Sequence, residues 1–205
     1  LAYNTQYSAY YLNQIAGEMF LDTAQRRKNV VSIAKQMGYL SGSRVASHAE
    51  ISIIITGSDL QNNIGTITIP KYTLFYGSNG TSTYPFLSWS TVILNQTNSF
   101  RSNLDLIQGQ FIEQKITVNN LLLEKKFKIQ SPEIDIMHLD VFVRENANAT
   151  ERTQYFRVHD ITLLNDESEI YYLEQDYDGK YQVIFGDNIL GRDIKNNNII
   201  EFEYI

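Results

Sequence analysis

Between Tyr172 and Ile205 the chain reads "YLEQDYDGKYQVIFGDNILGRDIKNNNIIEFEYI". Asp176, Asp178, Gly179, Gly186, Asp187 and Gly191 crowd together there, and carboxylates interleaved with glycines are what a metal or phosphate site uses. An EF-hand calcium loop is the sharpest version. With Gly179 at the turn, Glu174, Asp176 and Asp178 occupy the first three ligand positions. The closing bidentate glutamate then falls on Phe185, which has no ligand atom, and the flanks alternate like strands instead of forming helices. The EF-hand is rejected, leaving a looser cation site as the alternative. "FGDNILG" lacks the GxGxxG spacing and no helix signal follows it, which argues against a phosphate cradle. The better reading is structural: Tyr171 to Gln175 and Tyr181 to Phe185 are strands, and "DYDGK" is a hairpin turn in which Asp178-Gly179 supplies the positive φ.

Other groups give weaker chemical signals. His48, His138 and His159 are far apart and share no HxxxH or HxH spacing, and the absence of cysteine removes thiol nucleophiles, thiolate metal sites and disulfides. No GxSxG elbow, P-loop or kinase signature occurs. A glycosidase pair among Glu167, Glu169, Glu174, Asp176 and Asp178 is the hydrolase reading, against solvated turns and strand edges. Tyr84, Phe86 and Trp89 in "STYPFLSW" are the candidate sugar platform, against a loop-packing cluster. The sequons at Asn79, Asn95 and Asn148 read as chance in a chain rich in Asn and Thr. No catalytic residue, cofactor or metal is expected, and the chain is read as no enzyme.

The elements that position these residues change period along the chain. Residues 1–39 are helical. Tyr3, Tyr7, Tyr11 and Ile15 repeat at i+4, with Tyr10, Leu12, Met19 and Phe20 beside them. Asp22 is expected to cap a second helix with Val30, Val31, Ala34 and Met37 on its apolar face, Arg26, Arg27, Lys28 and Lys35 on a basic one, and Gly38 as its left-handed C-cap. Beyond Gly38 the period is two. Strands are expected at 51–56, 66–70, 72–76, 91–94, 110–118, 127–130, 136–144, 153–160, 169–176, 180–185 and 199–204. Turns fall at Gly57-Ser58-Asp59, Asn62-Asn63, Gly77 to Gly80 and Asn119-Asn120. The expected class is α+β: a helical arm at 1–45, mainly antiparallel β-regions at 46–118 and 119–205, and a chain belonging to a longer polypeptide. With a net charge of -6 and no apolar run near the ~20 residues of a membrane span, neither nucleic acid nor membrane is an expected partner. Core packing explains the tyrosine stripe least well. A partner surface covers such a stripe better, because large aromatics are enriched in interface cores.

"LAYNTQYSAYYLNQIAGEMFLDTAQRRKNVVSIAKQMGY" closely resembles the N-terminal region of the baseplate wedge subunits of T-even-type contractile-tailed phages, in the baseplate J-like family. "IPKYTLFYGSNGTSTYPF" is similar to that family's "IP.GT.F" segment, with Tyr72 where glycine is usual. The similarity runs on through "GQFIEQKITVN" and "FKIQSPEIDIMHLDVFVRE". It ends at Phe185, Gly186, Asp187 and Gly191, like the family's FGDG-type signature turn with Asn188 for its last glycine. The resemblance implies a structural protein of the virion tail baseplate, assembled in the host bacterial cytoplasm. It implies a ring around the hub that rearranges when the sheath contracts. It also implies that two copies join one different wedge protein through a helix bundle and contact neighbouring wedges. Tyr3, Tyr7, Tyr10, Tyr11, Ile15, Met19, Phe20, Val30, Val31 and Met37 would then be bundle contacts. Carbohydrate binding by a β-rich tail or adhesin module is the alternative.

Overall fold

A computed structural model describes residues 2–56, 65–95, 99–119, 125–158, 162 and 164–205. The expected turns at Gly57-Ser58-Asp59, Asn62-Asn63 and Asn120, the sequon residues Gln96 and Thr97, and His159 and Asp160 lie outside them. The class is α+β, as the change of period predicts: helices α1 (Ala2–Gly17) and α2 (Arg27–Gln36) come first and strands follow. No helix among the described residues is long and apolar enough to cross a membrane.

Gly38 ends α2 as expected. At φ 77 it donates its N–H to the Lys35 carbonyl, while Tyr39 donates to Ala34, the paired bonds of a Schellman cap. The start of α2 differs from expectation. Arg26, not Asp22, is the residue before the first turn, and it gives no side-chain cap.

The chain divides into two compact units. One comprises Arg44–Glu113, Asp135–Leu139 and Glu203–Ile205. Within it β1 (His48–Ile54), β3 (Leu74–Ser78), β4 (Thr83–Ser88) and β6 (Arg101–Gln108) form an antiparallel sheet in the order β1-β6-β4-β3. The short strands β2 (Thr66–Ile69) and β5 (Val92–Asn95) pair separately. Leu87, Leu94, Leu104, Leu106, Ile107 and Leu139 are among its buried aliphatics. β4 and β6 were absent from the expected strands. Pro85 disguises β4, and the structure accommodates it by starting the β4–β6 ladder one residue later, at Phe86, while the Pro85 carbonyl accepts from Gly109 N–H at 3.1 Å. Tyr72 is also no strand residue: at φ 67 it lies in the turn before β3. His138, expected in a strand, closes a short 3-10 turn at Ile136–His138.

The other unit comprises Leu1–Ser43, Gln114–Ile134 and Asp140–Phe202. Its sheet draws on β7 (Ile112–Thr117), β8 (Lys126–Lys128), β9 (Leu139–Arg144), β10 (Thr153–Arg157), β11 (Ile170–Gln175), β12 (Tyr181–Phe185) and β13 (Ile199–Tyr204), in the order β7-β13-β9-β10-β11-β12-β8. Phe127, Val141, Tyr155, Val183, Phe185, Ile200 and Phe202 fill the core between these strands. The edge strands at the two ends of that order are bridged by a side chain. Gln114 on β7 donates to the Lys128 carbonyl and accepts from Gln130 N–H, both at 2.9 Å, so its amide substitutes for a ladder of backbone bonds.

Candidate assembly interface

α1 stands out by exposure. Every residue from Tyr3 to Ala16 is exposed, including Tyr3 at 76%, Tyr10 at 65%, Leu12 at 66% and Ile15 at 61%. Tyr7 and Tyr11 are exposed as well, and Met19 and Phe20 continue the series beyond the helix. The i+4 spacing makes the tyrosines touch each other along the helix, as such spacing must. Tyr3 stacks on Tyr7 at 6.2 Å between ring centroids. Tyr11 meets Tyr7 edge-on at 4.6 Å, and their hydroxyls share a 2.7 Å hydrogen bond. That bond raises the Tyr11 hydroxyl above its ordinary pKa.

α2 is held to β11 instead. Lys35 pairs with Glu174 at 2.5 Å and the Arg27 guanidinium donates to Gln175 at 3.4 Å, so part of the expected basic face is engaged within the unit. Val30 and Val31 are half-buried, whereas Met37 is 72% exposed.

The turn from Phe185 to Gly191 is held by local hydrogen bonds. Phe185 is buried and meets Phe127 and Tyr155 edge-on. Asp187 accepts from the N–H groups of Leu190 and Ile189, each at 3.0 Å, and these bonds hold its carboxyl below the usual range. Asn188, standing where the family's glycine is usual, has φ 63, a left-handed conformation that asparagine tolerates. Its side chain accepts from Asp193 N–H at 3.1 Å. These contacts shape the chain from inside and leave Ile189 at the tip 73% exposed.

Four of the acids that suggested a cation site or a hydrolase, Glu169, Glu174, Asp176 and Asp178, are engaged by protein cations. Lys128 Nζ lies 2.5 Å from Asp176 and 2.8 Å from Asp178, and it holds both carboxyls below their ordinary range. A general acid needs the opposite shift. Glu169 pairs with Arg192 at 3.0 Å, and Glu174 is the partner of Lys35. In the hairpin itself Gly179 has φ 87 and donates to the Asp176 carbonyl, so the positive φ falls on the glycine as expected.

The candidate sugar platform is divided. Trp89 meets Tyr72 and His138 edge-on at 5.3 and 5.2 Å, with Lys71 Nζ 4.2 Å over its ring, while Phe86 opposes Phe75 across the β3–β4 ladder. His138 also meets His48, at 5.4 Å, and bonds to Asp135 at 2.9 Å. Sequence spacing gave no sign of that pairing, because the two histidines come from distant segments. At the first sequon, Asn79 accepts from Thr81 and Ser82 N–H and so caps the β3–β4 turn.

No protein-family model matches the chain. The baseplate wedge protein gp6 of Enterobacteria phage T4 is 30% identical to it over 192 residues. The chain is thus similar to part of a baseplate wedge protein. The alignment takes in 91% of this chain and 27% of gp6, so the chain spans about a quarter of the length of the curated relative it matches. The wedge part of the resemblance read from the residues is thereby supported across nearly the whole chain.

Proposed function

We propose that the chain is a structural, non-enzymatic part of a phage tail baseplate wedge, in which α1 packs into a helix bundle with a second copy and a different wedge protein. The 30% identity to gp6 supports the baseplate role and a place in the virion tail. The observation that carries the bundle is the complete exposure of residues 3–16. At ~100° per residue, Tyr3, Tyr7, Tyr10, Tyr11, Leu12 and Ile15 spread over roughly 200° of the helix, wider than the ~100° stripe that one packed face uses. Such a spread suits two neighbouring helices better than one. In this reading α1 is the oligomerisation arm, and the two compact units are the rigid blocks that meet neighbouring wedges. The ring surrounds the hub and rearranges as rigid bodies on sheath contraction.

Light scattering on the chain alone and with its neighbouring tail proteins tests the proposal. A self-dimer, or two copies with one different partner, is the expected mass. A monomer indifferent to every tail protein would overturn it.

A further inference from the structure

Because no residue between 3 and 16 is buried, the direction of α1 is set where the chain turns into α2. That elbow, residues 18–26, buries no apolar side chain: Met19, Phe20 and Leu21 are 70%, 66% and 44% exposed. Polar bonds shape it instead. The Glu18 carboxylate accepts from Gln25 N–H at 3.1 Å, Arg26 N–H at 3.3 Å and Asn29 Nδ2 at 2.6 Å. Thr23 Oγ1 donates to the Gly17 carbonyl at 2.5 Å, and Ala24 N–H to Phe20 at 2.9 Å. Glu18 therefore does from eight residues upstream what a glutamate in a capping box does from within the first turn: it satisfies the N–H of the residue before the helix. The Asn29 bond, first among these, holds its carboxyl below the usual range.

We propose that Glu18 is a latch that fixes the direction of α1 against α2 and presents Met19, Phe20 and Leu21 as a preformed apolar anchor. Three consecutive apolar side chains are left largely exposed at this elbow, which a folded chain ordinarily avoids. Holding them in place before contact reduces the ordering cost of association. The value of the latch to assembly rests on the docking role proposed for α1; the latch itself does not.

The chain contains no cysteine, so spin labels at Ala9→Cys on α1 and Ala147→Cys, an exposed residue of the same unit, report one intramolecular distance when the labelled chain is diluted into excess unlabelled chain. Measured on the chain alone, the distribution is expected to be a single narrow peak that broadens in Glu18→Ala. Asn29→Ala, which leaves Glu18 and its two backbone bonds in place, is expected to broaden it less. Circular dichroism of both variants is expected to match the parent, so that broadening reports direction and not lost helix. An unchanged peak in Glu18→Ala, a distribution already broad in the parent, or loss of helix in the variant overturns the latch. Failure of the chain to bind any tail protein would overturn the docking role while leaving these distances untouched.

Discussion

Gly186 and Gly191 pass so close that a Cβ on Gly186 would overlap the carbonyl carbon and oxygen of Gly191. Backbone carbonyls cannot swing aside as a long side chain can. A Cβ on Gly191, itself at φ 94, would lie 2.5 Å from Ile170 Cδ1. Gly186→Ala is therefore expected to destabilise the chain by about 3 kcal/mol and Gly191→Ala by about 2–3 kcal/mol, read by urea unfolding. Gly179→Ala is the control, with φ 87 but open space around the new methyl. It is expected to cost about 1–2 kcal/mol, the left-handed penalty alone. A loss in Gly191→Ala no larger than in Gly179→Ala would show that backbone conformation, not close approach, sets the cost at Gly191, while Gly186, which has no positive φ, can lose only through close approach.

Tyr72 carries a side chain where the resembling family has glycine, and it has the positive φ that glycine would serve. Its ring stacks on Phe111 at 4.1 Å and its hydroxyl donates to Glu203 at 2.7 Å. Tyr72→Gly relieves about 1–2 kcal/mol of left-handed strain but removes an aromatic anchor worth about 3–5 kcal/mol. The net expectation is a loss of about 2 kcal/mol in a thermal or urea melt. A stabilised Tyr72→Gly chain would mean the cluster contributes little.

Glu201 is 1% exposed, and Arg144, Arg152 and Lys115 reach it at 2.9, 3.4 and 3.3 Å. The Arg144 Nε contact is an ion pair without hydrogen-bond alignment. Burial pushes the carboxyl up, but Lys115 and Arg144 outweigh it, and the folded pKa lies below the ordinary 4.5. The unfolded chain then binds more protons between the two values, so this stability is present above pH 4.5 and is lost as pH falls through the folded pKa. Glu201→Ala is expected to cost about 3 kcal/mol at neutral pH, at the low end for a broken buried pair because its partners are part-exposed. The difference between parent and variant should shrink below pH 4.5. A difference independent of pH would assign the loss to packing.

The C-cap at Gly38 and the Asp178-Gly179 hairpin were legible in the sequence because a glycine's positive φ is a local demand. β6 carries a visible signal, Leu104 and Leu106 alternating with Asn103 and Asp105. β4 was hidden by Pro85, whose acceptance depends on where the neighbouring ladder begins. Glu201 sits in an alternating "EFEY" that places it on the outer face by period, yet three cations from three other segments enclose it. The tie from Glu18 to Arg26 N–H spans eight residues and matches no short capping template. Long-range partners decide both residues, and a pattern read along one strand or helix carries no information about them.

Tyr7→Ala with Tyr11→Ala separates folding from assembly. Both rings are exposed, at 53% and 44%, and their ring contacts are to other tyrosines of α1. Removing them costs the fold little, because substitutions of exposed side chains away from buried networks usually stay within about 0.5 kcal/mol. Assembly is a different matter if α1 is a bundle element, since buried aromatic anchors each contribute about 2 kcal/mol or more to an interface. Two lost anchors then correspond to roughly a thousandfold weaker association. The expected result is an unchanged melting curve for the double variant together with loss of the higher-mass species in light scattering. Complexes of normal mass would show that the tyrosine stripe is not where the partner binds.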